Sequence, residues 1–297
     1  MKIRYSIIFL LIYAFISCQK SSENKQEKSF ESTTQASDGV TISYDVRGSG
    51  STALVFIHGW CSNKTFWREQ LNTINDKYRA VSIDLPGHGK SGHDREVCTF
   101  SSFANDVKRV VESLDLKKVV LIGHSMGGLI ALKAAQLMPN RIIGIVGIDA
   151  INNVEDVDPP EMMEPFISVL QTNFKGTIRV AIPRMLSPNA TPELIEWVTE
   201  NSLEADSSIA ISIVREISNV NQKNLLSSVF IPVRCIYAAS DDSTVFTARL
   251  ETNQKYADFD AVAIKDVGHF LHLEKPDEVN QHLMYFVSEI EKANYDK

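Results

Sequence analysis

The stretch Val119-Val120-Leu121-Ile122-Gly123-His124-Ser125-Met126-Gly127-Gly128 changes character midway. Its first half is an uninterrupted apolar run, as expected of a strand buried on both faces. After it Leu129, Leu132 and Leu137 recur at helical spacing, so residues 126–138 read as a helix. The junction is G-x-S-x-G between strand and helix, the context in which that pentapeptide has mechanical meaning. So tight a turn strains the backbone at Ser125, and the glycines on either side let neighbouring chain approach without a Cβ clash. Ser125 is thereby raised at a helix start, where free N–H groups and the helix dipole favour developing negative charge.

Outward from this junction the same alternation repeats. Compact apolar runs stand at 53–57, 80–83, 142–148, 233–238 and 261–264, and residues 40–46 alternate as an edge strand does. Phe103, Val107, Val110, Val111 and Leu114 mark one of the helices between them. The fold class is therefore α/β, a mostly parallel sheet with helices on both faces. Residues 151–228 break the pattern with Pro159-Pro160, Pro165, Pro183, Pro188 and Pro192 and with amphipathic segments, but with no strand-like run. An insertion this long exceeds an ordinary connection and reads as a helical lid.

A serine at its ordinary pKa is a poor nucleophile; it needs a base, and the base needs an orienting carboxylate. His269, in Val267-Gly268-His269-Phe270 just beyond the run 261–264, is the expected base. His272 and His282 fall in or near the following helix and read as surface or packing residues. Asp241 follows the run 233–238 and is the favoured acid, with Asp242 the alternative one residue on and Asp149, after 142–148, a third candidate. Acyl transfer also needs two N–H donors for the oxyanion, and the backbones of Met126, after the nucleophile, and Trp60, after the run 53–57, are the expected pair. His58 reads as a shaper of that loop and not as a proton carrier.

Composition bounds the alternatives. The chain has 297 residues, 44% hydrophobic and 23% charged, with a formal net charge of −7 and no basic stripe, which argues against a nucleic-acid partner. Cys18, Cys61, Cys98 and Cys235 fit no zinc spacing, and neither metal nor cofactor is expected. Cys61 and Cys98 could pair in an oxidising compartment. Residues 1–17 have a basic start (Lys2, Arg4), an apolar run from 7 to 16 and a terminal Ser17, the layout of an export signal. Residues 18–37, poor in apolar side chains, read as a flexible tether.

Two resemblances sharpen these readings. Phe15-Ile16-Ser17-Cys18 resembles the lipobox of bacterial lipoproteins, apart from Phe where Leu is usual, and implies cleavage before an acylated Cys18 and anchorage to a membrane, the outer one in the absence of a retention signal. From 38 to the C-terminus, HGWCSNKTFW at 58–67, DLPGHGKSG at 84–92, GHSMGG at 123–128 and GHFLHLEKPDEVN at 268–280 resemble the α/β-hydrolase superfamily, in particular its lidded esterase-like branch. That resemblance implies an eight-stranded, mostly parallel sheet, Ser125 as nucleophile, His269 as base, an acid after the seventh strand and a cap formed by 151–228. It implies a loop-shaping role for Asp84. Ala238-Ala239-Ser240-Asp241 departs from the family's G-x-x-D pattern before the acid.

The expectation is a lipid-anchored serine hydrolase acting on a small ester-like substrate. Carbon–carbon hydrolysis, lactone opening, acyl transfer and cofactor-free perhydrolysis use the same residues, and a non-catalytic lipoprotein that captures a ligand under its lid is the rival of another class. Phe166, Phe174, Met162, Met163, Met185 and Trp197 in the lid either line an apolar substrate pocket or form the lid's own packing.

Overall fold

Five of the six apolar runs become inner strands of a single sheet, and the run 261–264 forms one of its edges. The structure, a computed structural model, describes residues 30–95, 98–156, 159–239 and 243–295. Its strands are β1 (Phe30–Gln35), β2 (Thr41–Gly48), β3 (Thr52–Ile57), β4 (Tyr78–Ile83), β5 (Lys118–His124), β6 (Ile142–Ile148), β7 (Val233–Ala238) and β8 (Phe259–Ile264). They form an eight-stranded sheet in the order β1-β2-β4-β3-β5-β6-β7-β8. β1 and β2 are antiparallel to their neighbours, and every other pairing is parallel. The expected eight-stranded α/β architecture is the one observed.

The helices are α1 (Arg68–Leu71), α2 (Phe100–Ser113), α3 (Met126–Leu137), α4 (Glu164–Thr172), α5 (Phe174–Met185), α6 (Pro192–Ser202), α7 (Ser207–Asn219), α8 (Gln222–Ser227), α9 (Ser243–Gln254), α10 (Leu271–Glu274) and α11 (Pro276–Tyr295). Each face of the sheet is covered. On one, Phe103, Val107, Val110 and Val111 of α2 and Ile130 and Leu132 of α3 meet Val55, Ile57 and Leu121. On the other, Val279, Leu283, Phe286 and Ile290 of α11 meet Leu54, Phe56, Val120 and Val146. Thr99 starts α2 with a capping box, its hydroxyl accepting from Ser102 N–H while the Ser102 hydroxyl accepts from Thr99 N–H.

Between β6 and β7 the insertion is helical, α4 to α8, with no strand among its described residues. It has a core of its own, in which Ile167, Leu170, Ile178, Ile182, Val198 and Val214 pack with Phe66 and Phe270 of the body.

The tether expectation for 18–37 is corrected at its end. Phe30–Gln35 is a strand, paired in register from Phe30↔Val46 to Gln35↔Thr41. Its polar sequence hid it, because backbone pairing and ionic contacts hold it more than apolar burial does. Lys64 Nζ, buried, lies 2.9 Å from Glu31 Oε1, 3.1 Å from Asp45 and 3.5 Å from Asp84. Hydrogen bonds from Lys90 and Lys64 hold the Glu31 carboxyl down at about 2. Residues 1–29, with the export signal and Cys18, lie outside the described residues, and no described helix is long and apolar enough to cross a membrane. Cys61, Cys98 and Cys235 are buried free thiols.

Candidate active site

The catalytic candidates gather where β3, β5, β6 and β8 end, the edge at which open parallel sheets place ligands. Ser125, between β5 and α3, has φ 53° and ψ −124°, in the left-handed half of backbone space. Its N–H donates to the Ile148 carbonyl at 3.0 Å, which ties the turn to β6. A Cβ at Gly123 would stand 2.3 Å from the Gly127 backbone, and one at Gly127 would stand 2.3 Å from the Ile57 carbonyl oxygen. Both glycines are therefore required by close approach.

His269 lies on the loop between β8 and α10. Its N–H donates to the Met185 carbonyl at 2.7 Å, and its carbonyl accepts from His124 Nε2 at 2.8 Å. Beside it Gly268 admits the lid backbone, since a Cβ there would meet Met185 O at 2.4 Å. His269 Nδ1 is 2.6 Å from Asp149 Oδ2. A carboxylate only accepts, so Nδ1 carries the hydrogen and Nε2 is left as the basic nitrogen.

The carboxylate on His269 is thus Asp149, the candidate ranked third from sequence. Asp241 and Asp242 lie outside the described residues. Asp149 directly follows β6 and adopts φ 44°, a left-handed conformation that aspartate tolerates better than most residues. Its N–H donates to Ile236 O at 2.8 Å and its Oδ1 accepts from Ala238 N–H at 3.1 Å, so β7 clamps it from the side away from His269. The available signal was its position, an acidic residue at the end of the run IIGIVGI, but nothing local ranked it above a carboxylate after β7.

The loop after β3 is drawn against Ser125. A Cβ at Gly59 would stand 2.7 Å from His124 Nδ1 and 3.3 Å from the Ser125 Cβ, so only glycine lets the chain pass. Trp60 follows, its indole Nε1 donating to Ala210 O of α7 at 2.8 Å and its ring 6.0 Å from that of Phe166. Met126 is the first residue of α3, where a backbone N–H has no acceptor within the helix.

His58 is structural. Its Nε2 accepts from Leu85 N–H at 3.0 Å while Nδ1 faces the Gly59 carbonyl at 2.8 Å, and burial pushes its pKa down to about 4. Asp84 shapes the neighbouring loop, as the resemblance implied, accepting from the N–H groups of Lys64 at 2.7 Å and Lys90 at 3.0 Å. His272 is fully buried, its ring 5.0 Å from Trp67 and 4.5 Å from His124; burial, then the charge of His269 and Arg68, pushes it down to about 3. The packing expectation describes it; a surface position does not. His282 sits partly exposed on α11.

Ser125, Met126, Asp149 and His269 line one cavity of about 200 Å³, and the lid closes it with Ile217 and Gln222. None of the lid's apolar candidates reaches this cavity. Phe166, Phe174, Met163, Met185 and Trp197 pack in the lid's own core, and Met162 is exposed. Among the described residues no group of three or more His, Cys, Asp or Glu is placed to hold a metal ion.

This arrangement has counterparts. A family model described as alpha/beta hydrolase fold matches residues 52–194, which hold the β3 loop, the Ser125 turn and Asp149. The dihydrolipoyllysine-residue acetyltransferase component of the acetoin cleaving system of Cupriavidus necator is 33% identical over 39% of this chain, which spans 33% of that protein and 65% of its counterpart in Pseudomonas putida. The pimeloyl-[acyl-carrier protein] methyl ester esterase of Aliivibrio fischeri is 24% identical, the match covering 83% of this chain and 97% of that one. Among solved structures, an esterase from Exiguobacterium antarcticum superposes with a TM-score of 0.78 at 20% identity, over 86% of this chain and 99% of that one. With the sheet order, the strained serine between β5 and α3 and a matching architecture along nearly the whole described body, the chain has the alpha/beta-hydrolase fold.

Proposed function

We propose that this protein is a serine hydrolase that cleaves carboxylic esters, with Ser125 as nucleophile, His269 as base and Asp149 as the orienting acid. The observation that carries the reading is the Nδ1 to carboxylate contact of 2.6 Å at His269, on a residue that shares a cavity wall with the strained Ser125. Esterase-named relatives and neighbours support the reaction class.

In acylation the Ser125 Oγ forms a bond to the ester carbonyl carbon while its proton passes to His269 Nε2. The carbonyl oxygen becomes an oxyanion, held by the N–H groups of Met126 and Trp60. Collapse breaks the bond to the alcohol, which leaves with the proton from His269. Water then attacks the acyl-enzyme, gives a proton to His269 and releases the carboxylic acid as Ser125 recovers its hydrogen. Asp149 keeps the imidazole in the required tautomer and stabilises its protonated form.

A fluorophosphonate probe should label the intact protein and not Ser125→Ala, and p-nitrophenyl acetate hydrolysis should follow the labelling. An intact protein that neither labels nor turns over overturns the reading. Anchorage at Cys18 belongs to the same proposal, supported by the basic start and apolar run ahead of Ser17-Cys18. Mass spectrometry of the mature chain should find an acylated N-terminal Cys18, and an unmodified N-terminus elsewhere refutes the anchor.

A further inference from the structure

The cavity holding Ser125 shares three wall residues, Asn152, Ile217 and Gln222, with a larger neighbouring chamber of about 770 Å³. The chamber lies between the segment after β6, the α7–α8 junction and one face of α9, where Thr244, Val245, Ala248 and Arg249 line it. An ester bound at Ser125 has this space in which to place the rest of its length.

The chamber's wall is mixed: Val154, Met163, Ile217, Val220 and Val245 give it apolar surface for a carbon chain, and polar groups stand among them to receive a polar end. Asn153, Ser218, Thr244 and Arg249 contribute to its wall, whereas the lid's aromatic residues are engaged elsewhere. Two polar atoms at this place are buried without a hydrogen-bond partner among the described residues, Gln222 Oε1 and Arg249 Nε. Leaving a buried donor or acceptor unpaired costs about 1–3 kcal/mol, and a carboxylate can relieve that cost at the Arg249 Nε donor; Gln222 Oε1, like a carboxylate, only accepts, so Gln222 would meet such a ligand through its amide N–H.

Arg249 is also held in place. Its guanidinium carbon sits 4.3 Å from the centroid of the Tyr237 ring, and the Tyr237 hydroxyl donates to Ile151 O at 2.6 Å. A stacked guanidinium loses little freedom when it engages a planar carboxylate through two N–H groups. None of the ion pairs among the described residues involves Arg249. Among the described residues of the chamber wall the acidic one is Asp156, and it is exposed.

We propose that Arg249 and Gln222 form a second recognition site, which binds the free carboxylate of an ester that carries an acid group remote from the scissile bond. This rests on the ester-hydrolase reading and adds its substrate class. Arg249 supplies the charge, and Gln222, at the passage between the two cavities, donates an amide N–H to the same end of the substrate.

The test compares p-nitrophenyl monoesters of succinic through suberic acid with p-nitrophenyl n-alkanoates of matched length, and acetates of ω-hydroxy acids with acetates of matched n-alcohols. At one chain length in one series, kcat/KM for the carboxylate-bearing ester should exceed that of its neutral match at least tenfold, through KM. Arg249→Met should lower that ratio at least tenfold, Arg249→Lys should retain part of it, and Gln222→Glu, which sets a negative charge beside the site, should lower it as well. A protein that cleaves neutral esters but shows no preference for the acid at any length overturns the second site. So does a preference that survives both Arg249→Met and Gln222→Glu. Failure to cleave either kind, with no fluorophosphonate adduct at Ser125, overturns the hydrolase reading itself and with it the second site.

Discussion

At the residue scale the decisive contact is between His269 and Asp149. Two parallel strands end side by side here, since Ile148 is in register with Ile236, so carboxylates placed after β6 and after β7 are both candidates for one imidazole. Asp149 is the one whose position the structure describes, and its second oxygen is engaged by Ala238 N–H. Asp149→Asn should therefore lower kcat for p-nitrophenyl acetate by about 10³–10⁴, the scale expected when the base loses its tautomer control, with thermal unfolding little changed. Asp241→Asn should stay within a few-fold of the natural protein. The opposite pattern in steady-state kinetics would return the role to the β7 loop.

At the element scale β1 shows where polarity misleads. FESTTQ offers almost nothing to a core, yet its backbone completes the sheet edge and Glu31 reaches the buried Lys64. The ammonium group there also neutralises Asp84, whose side chain is 1% exposed. Lys64→Ala strands that carboxylate and should cost about 2–3 kcal/mol, whereas Glu31→Gln, with its side chain near the surface, should cost under about 1 kcal/mol. Urea unfolding midpoints at unchanged m-value would measure both, and equal effects would contradict this ranking. The lid makes a related point. Its aromatic residues recur at helical spacing whether they serve a substrate or their own core, and only the packing of Phe66 and Phe270 against them assigns them to the core.

For the whole molecule, the sheet and its coverings bury a set of histidines around the site. Burial, reinforced by His58 in the case of His88, pushes His58 down to about 4 and His88 and His272 to about 3, and desolvation drives His124 in the same direction. In the unfolded chain each takes up a proton near pH 6.5. The depressed native values mean that the stability these groups support is complete above about pH 6.5 and is lost as pH falls from there toward 3–4, by on the order of 1.4 kcal/mol per pH unit for each group. Urea midpoints should be level from about pH 8 to 7 and fall steeply toward about pH 4.5; a level midpoint down to about pH 5 would mean that these rings are hydrated in the native state. The inner strands and the helices around Ser125 are legible in the sequence alone. Apolar runs, helical periodicity and the glycines around Ser125 are local properties, and backbone sterics turn them into strand, helix and strained turn wherever the chain goes. From them followed the α/β sheet, the place of the insertion and the candidates Ser125 and His269. Tertiary structure decided which carboxylate meets His269, that residues 30–35 close the sheet edge, and that the lid's aromatics pack inward. Each of these depends on which strand ends and side chains become neighbours across long stretches of sequence, which register and packing set and local pattern does not encode.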